Sequence, residues 1–98
     1  MTVERIKNGG ALTLAIEGRL DSLSSPELEE IINTELDGVT ELTLDFSGVD
    51  YISSAGLRVL LCALKKPEVG GNMRVKNVCP TVNEIFEITG FNEILTVE

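Results

Sequence analysis

The stretch that decides the fold is "LTLDFSGVDYISSAGLRVLL", residues 42–61. Apolar and polar residues alternate in its first half, which predicts a strand that ends near Asp45-Phe46. The second half predicts a helix over residues 55–66, because its leucines recur at helical spacing and Pro67 follows. The leucines on one face of this helix are Leu57, Leu60, Leu61 and Leu64. A strand that leads through a polar turn into a helix is the building unit of an α/β sheet.

Two hydroxyls stand in the turn between this strand and this helix. Ser53 and Ser54 precede Ala55-Gly56, and a serine at a helix start accepts a hydrogen bond from a backbone N–H two or three residues further on. Judged by spacing alone, both serines are helix caps. The same oxygens would also serve as a site of chemical modification, and the turn by itself leaves that second interpretation open.

The N-terminal residues predict a β-hairpin. Residues 3–7 and 11–17 flank Asn8-Gly9-Gly10, and glycine supplies the positive φ that a tight turn requires. Both faces of the second strand are apolar or small, which predicts a strand covered on both sides. One face carries Leu12, Leu14 and Ile16, and the other carries Ala11, Thr13 and Ala15.

The next helix is predicted from residue 26 onward. Ser25 is the expected N-cap, Pro26 suits the first helical position, and Gly38 is expected to end the helix. The glutamates of the first turn complement the positive end of the helix dipole. The apolar stripe of this helix is Leu28, Ile31, Ile32 and Leu36.

The C-terminal third predicts a strand, a helix and a last strand. Residues 73–78 alternate in polarity, and residues 94–97 form a short apolar segment. Between them, Thr81 and Glu84 have the spacing of a capping box, and Gly90 ends the helix. The residues on one face of this helix are Val82, Ile85, Phe86 and Thr89.

The order of elements is therefore β-β-α-β-α-β-α-β, and the predicted fold class is α/β. Repeated strand–helix–strand units imply right-handed crossovers and parallel neighbouring strands. The opening hairpin adds an antiparallel edge to a single mixed sheet with covering helices. A chain of 98 residues is expected to form one domain over residues 1–98.

Composition excludes several classes of function. Histidine is absent, which excludes a Ser-His relay and the usual zinc sites. The sequence contains no GxGxxG motif and no P-loop. A net charge of −8 repels phosphate backbones, so no direct nucleic-acid binding is expected, and partners with basic faces are favoured.

The cysteines and the hydropathy indicate a cytoplasmic protein. Cys62 and Cys79 lack CxxC spacing, so a disulfide framework is not expected and a reducing compartment is favoured. Cys62 lies in an apolar helical run and is predicted to be buried. No apolar run approaches the length of about 18 residues that a membrane span requires, and no membrane insertion is expected.

Two polar loops follow neighbouring strands. "GRLDSLSS", residues 18–25, follows the second strand, and "SGVDYISSAG", residues 47–56, follows the third. In α/β sheets, ligands and partners meet the loops beyond the carboxyl ends of the strands. If the two strands are adjacent, Asp21 and Ser54 lie on the same rim of the sheet.

These two loops carry a resemblance to a known family. Residues 42–61 resemble the signature of the STAS family, the anti-sigma factor antagonists, which runs Asp-hydrophobic-Ser, a hydroxyl-rich turn, Gly-Leu and an apolar helix. "EGRLDSLSS", residues 17–25, is similar to the family's second signature, Gly-x-Leu-Asp. The predicted order of strands and helices also agrees over essentially the whole chain.

The resemblance implies a partner switch and no catalytic activity of the chain itself. Single-domain members bind an anti-sigma factor that is also a serine kinase, and this binding releases the sigma factor. Phosphorylation of the antagonist ends the binding, and a serine phosphatase restores it. The chain would need no cofactor, since ATP and Mg²⁺ belong to the partner kinase.

The resemblance also assigns roles to individual residues. With Gly56 aligned, Ala55 stands at the usual acceptor position, so the implied phosphorylation site is Ser54, with Ser53 as the second choice. Asp21 corresponds to the acidic neighbour of the acceptor. Asp45 and Ser47 form the Asp-hydrophobic-Ser element. The implied surroundings of the phosphorylation site and partner surface are Asp21, Ser53, Ala55, Gly56, Leu57 and Arg58.

One alternative function remains within the same fold. STAS domains also act as subunits or regulatory modules of transport or stress-sensing complexes, without phosphorylation. Ala55 at the usual acceptor position keeps this alternative open.

Overall fold

The computed structural model describes residues 1–98 and contains five β-strands and three α-helices in the predicted order. A one-turn 3₁₀-helix at Phe91–Glu93, which the sequence did not predict, precedes the last strand. The elements are β1 Thr2–Asn8, β2 Ala11–Leu20, α1 Ser25–Thr34, β3 Glu41–Ile52, α2 Ser54–Leu64, β4 Met73–Lys76, α3 Pro80–Thr89 and β5 Thr96–Val97.

The strands form one mixed sheet in the order β1-β2-β3-β4-β5. β1 is antiparallel to β2, and every other neighbouring pair is parallel. This arrangement confirms the predicted fold class and the antiparallel hairpin edge. Because the strands follow one another in sequence order and such crossovers are right-handed, all three helices lie on one face of the sheet.

The opposite face of the sheet has no helical layer, so the prediction that β2 is covered on both sides was wrong. Leu12, Leu14 and Ile16 are buried beneath the helices, as their alternation predicts. The alternate residues Ala11 and Thr13 are only half-buried. In the sequence, these small side chains are typical of a buried surface, but in the structure they lie on a face that is open to solvent.

The core lies between the sheet and the helices. Leu28, Ile31 and Ile32 of α1 are buried, as predicted. In α2, however, the buried face is centred on Val59, Leu60 and Ala63, whereas Leu61 and Leu64 are only half-buried. Leu57 and Leu60 of the predicted stripe are therefore buried as predicted, but the buried face is rotated toward Val59 and Ala63 and away from Leu61.

β3 continues to Ile52, so the prediction that it ends near Asp45-Phe46 was wrong. The pairing of β2 with β3 shifts between Ala15 and Glu17 and again between Gly18 and Arg19, and each shift places an extra residue in β3. A bulge interrupts the alternation of side chains without ending the strand. The sequence Ser47-Gly48 therefore resembles a turn, although the backbone remains extended.

The starts of two helices differ from the prediction. Ser24 is the N-cap of α1, whereas Ser25 is the first helical residue and is buried, and Pro26 is the second. Cys79 is the N-cap of α3, and no side chain caps that helix, so Thr81 and Glu84 do not form a capping box. In both cases the helix begins one or two residues earlier, because a proline fits within the first turn.

One of the two predicted helix ends is confirmed. Gly90 ends α3 with φ 81°, as predicted. Gly38 also has a positive φ of 77°, but α1 already ends at Thr34 with Glu35 as its C-cap. Gly38 therefore belongs to the loop before β3.

Cys62 is exposed on α2, so its predicted burial was wrong. The reason is that Cys62 lies outside the buried face of α2, which contains Val59, Leu60 and Ala63. None of the helices is long and apolar enough to cross a membrane.

Candidate functional site

The two polar loops meet at the carboxyl ends of β2 and β3. Leu20 and Ile52 are partners in the parallel ladder, and the N–H of Ser53 donates to the carbonyl of Leu20 at 2.9 Å. The loop that carries Asp21 and the turn that carries Ser54 therefore start from adjacent points on one rim, as the sequence predicted.

The two serines of the turn have different surroundings. Ser53 is the N-cap of α2, with an extended backbone, and its Oγ accepts from the Gly56 N–H at 3.4 Å. Ser54 is the first residue of α2, its side chain is exposed, and its hydroxyl makes no hydrogen bond within the protein. The structure thus engages one hydroxyl in capping and leaves the other free.

Gly56 sets the distance between α2 and the end of β2. A Cβ atom at Gly56 would lie 2.7 Å from Cγ1 of Ile52 and 2.9 Å from the carbonyl oxygen of Leu20. Both distances are shorter than carbon atoms tolerate, so only glycine allows the helix to start this close to the strand. This approach also explains why Gly56 and Leu57 are buried beside the exposed Ser54.

Asp21 organises its own loop. Its Oδ1 accepts from the N–H groups of Leu23 at 3.0 Å and Ser24 at 3.1 Å. The Asp21 N–H donates to Oγ of Ser24, which in turn donates to the carbonyl of Arg19 at 2.6 Å. The backbone N–H groups of Ser24 and Leu23 hold the pKa of the Asp21 carboxyl below its usual range. The carboxylate is therefore charged at neutral pH and fixes the shape of the turn.

Arg19 joins this loop to the end of β3. Its guanidinium lies over the ring of Tyr51, 4.4 Å from the centroid, and its Nε is 3.8 Å from Oδ2 of Asp21. A cation over an aromatic ring is attracted by the ring's electron-rich face. The only arginine in the Asp21 loop is thus already engaged.

A groove of about 340 Å³ separates the first turns of α1 and α2. Ser22, Ser25 and Glu29 lie on one side, and Ala55 and Arg58 lie on the other. Arg58 is exposed and is in none of the three ion pairs of the protein. The rim therefore carries one free positive charge one helical turn beyond Ser54. Ser25 Oγ is a buried side-chain oxygen without a hydrogen-bond partner.

Asp45 and Ser47 lie apart from the Ser53-Ser54 turn. Oδ1 of Asp45 accepts from the side-chain amide of Asn77 and from the Ser47 N–H, both at 3.0 Å. These bonds, that of Asn77 first, hold the pKa of the Asp45 carboxyl below its usual range. The residue ties the middle of β3 to the loop after β4, and it does not reach the rim of the candidate site.

The site offers a free hydroxyl and a surface for binding. No group of three carboxylate or thiol side chains lies close enough together to hold a metal ion. The hydroxyl of Ser54 is open to an external enzyme, since it is exposed and unbonded. Chemically, the arrangement is suited to accept a group delivered by another protein.

Ser24 was predicted to lie in this polar loop, but its contacts, and the roles of Arg19 and Leu23 at the rim, were not predicted from the sequence. The spacing of Asp21 and Ser24 is typical of a side-chain-stabilised turn and would have indicated their contact. The stacking of Arg19 on Tyr51 depends on the register of β2 and β3, which the β3 bulges shift. Leu23 is 91% exposed, and nothing in the sequence distinguishes it from a core leucine.

Comparison with known proteins agrees with this fold. The STAS domain family model matches residues 2–98. BtrV of Bordetella bronchiseptica, provisionally named an anti-sigma factor antagonist, is 36% identical over 99% of this chain and 84% of its own length.

Two solved structures are similar in fold. An anti-sigma factor antagonist from Mycobacterium paratuberculosis superimposes with a TM-score of 0.86 at 23% identity, covering 98% of this chain and 83% of that one. The phosphorylated form of the Bacillus cell fate determinant SpoIIAA gives a TM-score of 0.74 at 17% identity, covering 99% and 91%. At these identities the likeness establishes the fold alone.

Proposed function

Because the chain belongs to the STAS domain family, whose model matches residues 2–98, we propose that it is an anti-sigma factor antagonist controlled by phosphorylation of Ser54. The observation that carries the proposal is the free, exposed hydroxyl of Ser54 at the rim where the Asp21 loop meets α2. The similarity to BtrV, a protein provisionally named for this function, supports the choice of partner.

The proposed cycle has two states. Unphosphorylated, the chain binds an anti-sigma factor that is also a serine kinase, and the sigma factor is released. The kinase transfers the γ-phosphoryl group of ATP to Oγ of Ser54, with ADP as the other product and the hydroxyl proton lost. The phosphorylated chain dissociates, and a serine phosphatase hydrolyses the phosphoester. The partner holds ATP and Mg²⁺, so the chain acts as a substrate in the cytoplasm, where sigma factors work.

Ser54 is preferred to Ser53 on structural grounds. The Oγ of Ser53 is directed to the Gly56 N–H as a cap, and its modification would remove that contact. Ser54 Oγ has no such contact, so a kinase can engage it without disturbing the helix start. Ala55 has no hydroxyl, which leaves Ser54 as the free acceptor nearest Gly56.

The physical basis of the switch is electrostatic. A phosphate adds about −1.5 to −2 charge units, next to an exposed Arg58 that has no ion-pair partner. The phosphate would cancel this free positive charge and leave a negative surface. The switch requires that the partner presents acidic groups to Arg58, although its border is basic where it faces Glu27. Like charges brought together across an interface cost several kcal/mol, and about 1.4 kcal/mol is already tenfold in affinity. Binding should therefore weaken by roughly a hundredfold.

The experiment has two stages. The protein is first recovered from its own cells, and mass spectrometry identifies its phosphorylated residue and the anti-sigma factor that accompanies it. The affinity of that purified anti-sigma factor is then measured by calorimetry for the wild type, Ser54→Ala and Ser54→Asp. We expect Ser54→Ala to bind like the wild type and Ser54→Asp to bind far more weakly.

Ser53→Asp is the matched control, because it places the same charge one residue away on the half-buried cap. Equal affinity of Ser54→Ala and Ser54→Asp would remove Ser54 from the switch. A protein that carries no phosphate on either serine under any growth condition would instead favour the transport or stress-sensing alternative.

A further inference from the structure

Leu23 is the most exposed large apolar side chain of the protein. It is 91% exposed, compared with 77% for Ile88, 52% for Ile6 and 48% for Ile94. Single exposed apolar residues are common on protein surfaces, so exposure alone assigns nothing. The position of Leu23 is what distinguishes it, since it lies two residues after Asp21 on the rim of the candidate site.

The turn that carries Leu23 is held rigidly. Three hydrogen bonds join Asp21, Ser24 and the Leu23 backbone within this turn, and the Ser24 hydroxyl donates to the carbonyl of Arg19 at 2.6 Å. The N–H of Ser25 adds a bond to the carbonyl of Asp21 at 2.8 Å. Because the backbone of this turn is already ordered, little loop entropy is lost when a partner covers it.

Leu23 lies between two hollows of the surface. On one side, a depression of about 440 Å³ is lined by Leu23 itself together with Met1, Arg19, Asp21, Ser24 and Glu27. On the other, its neighbour Ser22 lines the groove that also contains Ala55 and Arg58. A partner that engages the Ser54 turn across this groove would reach Ser22, the residue next to Leu23.

The charges around Leu23 indicate the chemistry of that partner. Glu27 is exposed and has no ion-pair partner, and the carboxylate of Asp21 lies beside it in the same depression. Arg19 offsets part of this charge through its contact with Asp21. The side of Leu23 toward α1 therefore carries the unpaired carboxylate of Glu27, and the groove on the other side carries both the Arg58 guanidinium and the Glu29 carboxylate.

We propose that Leu23 is the apolar anchor of the surface that binds the anti-sigma factor, inserting into an apolar pocket whose border is basic where it faces Glu27. This inference rests on the proposed function and names the residue that contributes most to its binding surface. A few residues that fill desolvated pockets near the centre of an interface carry most of the affinity, and the surrounding near-neutral contacts exclude water.

The test measures the affinity of the purified anti-sigma factor that accompanies the wild-type protein. Leu23→Ala is expected to weaken binding by at least about tenfold, as truncation of an interface anchor does. Leu23→Met, which retains volume and apolarity, is expected to stay within a fewfold of the wild type. Glu27→Lys is expected to slow association, because it reverses the charge that faces the basic border.

Ile88→Ala is the matched control. Ile88 is also largely exposed, but it lies near the C-terminal end of α3. This end of α3 leads into the start of β5, which is parallel to β4. Ile88 therefore lies toward the end of the sheet where the parallel strands begin, whereas the Ser54 turn lies where they end. Thermal unfolding of each variant is measured in parallel and is expected to match the wild type.

Two failures are distinguishable. Suppose the wild type binds the anti-sigma factor and Leu23→Ala binds as tightly as the wild type or as Ile88→Ala. The proposed anchoring role of Leu23 is then overturned, while the proposed function stands. If the wild-type protein binds no anti-sigma factor at all, the proposed function is overturned, and the anchor falls with it.

Discussion

At the scale of single residues, two neighbouring hydroxyls in the turn between β3 and α2 have different roles. Ser53 caps the helix through the Gly56 N–H, whereas Ser54 faces solvent without a partner. A cap contributes to the stability of the helix in every state of the protein. A free hydroxyl contributes nothing to stability and is available for modification.

This difference predicts opposite results for two alanine substitutions. Ser53→Ala should lower the free energy of unfolding by about 0.5–1 kcal/mol, because the capping oxygen is lost. Ser54→Ala should leave it unchanged or raise it slightly, since alanine favours helix more than serine does. Urea unfolding of both variants at neutral pH measures the difference. A larger loss for Ser54→Ala would mean that its hydroxyl is structural.

Asp45 predicts a pH dependence of stability. Its pKa is lowered in the folded state by the Asn77 amide and the Ser47 N–H, so its contribution is present above the unfolded pKa of about 3.9. The contribution is lost as the pH falls through the lower folded value. Asp45→Asn should therefore cost about 0.5–1 kcal/mol at pH 7, because the position is only half-buried and solvent screens part of the interaction.

The measurement is urea unfolding of Asp45→Asn and wild type at neutral pH and at a pH below both pKa values. The two proteins should differ at neutral pH and converge in acid. Asp37→Asn is a suitable control, because that exposed side chain makes no hydrogen bond within the protein. A difference that is independent of pH would contradict the role of the charge.

At the scale of elements, the start of α2 is placed by its contact with the end of β2. The contact requires a residue without a side chain at Gly56, and it brings the Ser53 N–H to the Leu20 carbonyl. The helix therefore presents Ser54 and Arg58 beside the Asp21 loop. The geometry of the site follows from packing between the two elements.

Gly56→Ala tests this packing by whether it raises or lowers the free energy of unfolding. In an exposed helix the change would stabilise the protein by about 0.5–1 kcal/mol. Here the new Cβ would lie 2.9 Å from a backbone oxygen that cannot rotate away, and overpacking costs about 1–3 kcal/mol. We expect net destabilisation in chemical unfolding relative to Ser54→Ala. A gain in stability would show that the helix can move away without cost.

The position of Ser54 at a helix N-terminus predicts that its charge leaves the fold intact. A negative group there is favoured by the helix dipole by about 0.3–1 kcal/mol. Ser54→Asp should therefore unfold thermally at the same temperature as the wild type or slightly higher. A marked fall in the unfolding temperature would mean that any loss of partner binding reflects damage to the helix and not the proposed switch.

At the scale of the whole molecule, net charge affects the rate at which partners associate. The net charge is −8, and acidic residues border Leu23 on the α1 side. Such a surface steers a partner with a basic face, and salt screens that attraction.

The association rate with the anti-sigma factor should therefore fall by at least about tenfold between about 50 mM and about 500 mM salt. Stopped-flow kinetics measure the rate, and the dissociation rate should change much less. An association rate that does not depend on salt would argue against steering by the acidic surface.

The sheet as a whole shows why some predictions succeeded and others failed. The order of strands and helices was predicted correctly because the apolar periodicity of each element is a strong local signal. Right-handed crossovers between strands that are consecutive in sequence then allow only one sheet topology. The open face of the sheet was not predicted, since Ala11 and Thr13 suit a covered strand and a solvated one equally well. Which face a helical layer covers depends on the hand of the crossovers and on how many helices there are.

The sequence by itself determined the element order, the antiparallel edge and the placement of the Asp21 and Ser54 loops on one rim. These follow from hydrophobic periodicity, turn residues and the rule that parallel strands end at the same edge. Only the tertiary structure decided that Ser53 and not Ser54 is engaged, that β3 bulges and continues to Ile52, and that Leu23 stands in solvent beside unpaired Glu27. The physical reason is that burial, hydrogen-bond pairing and strand register depend on which surfaces pack together, and residues distant in the chain supply those surfaces.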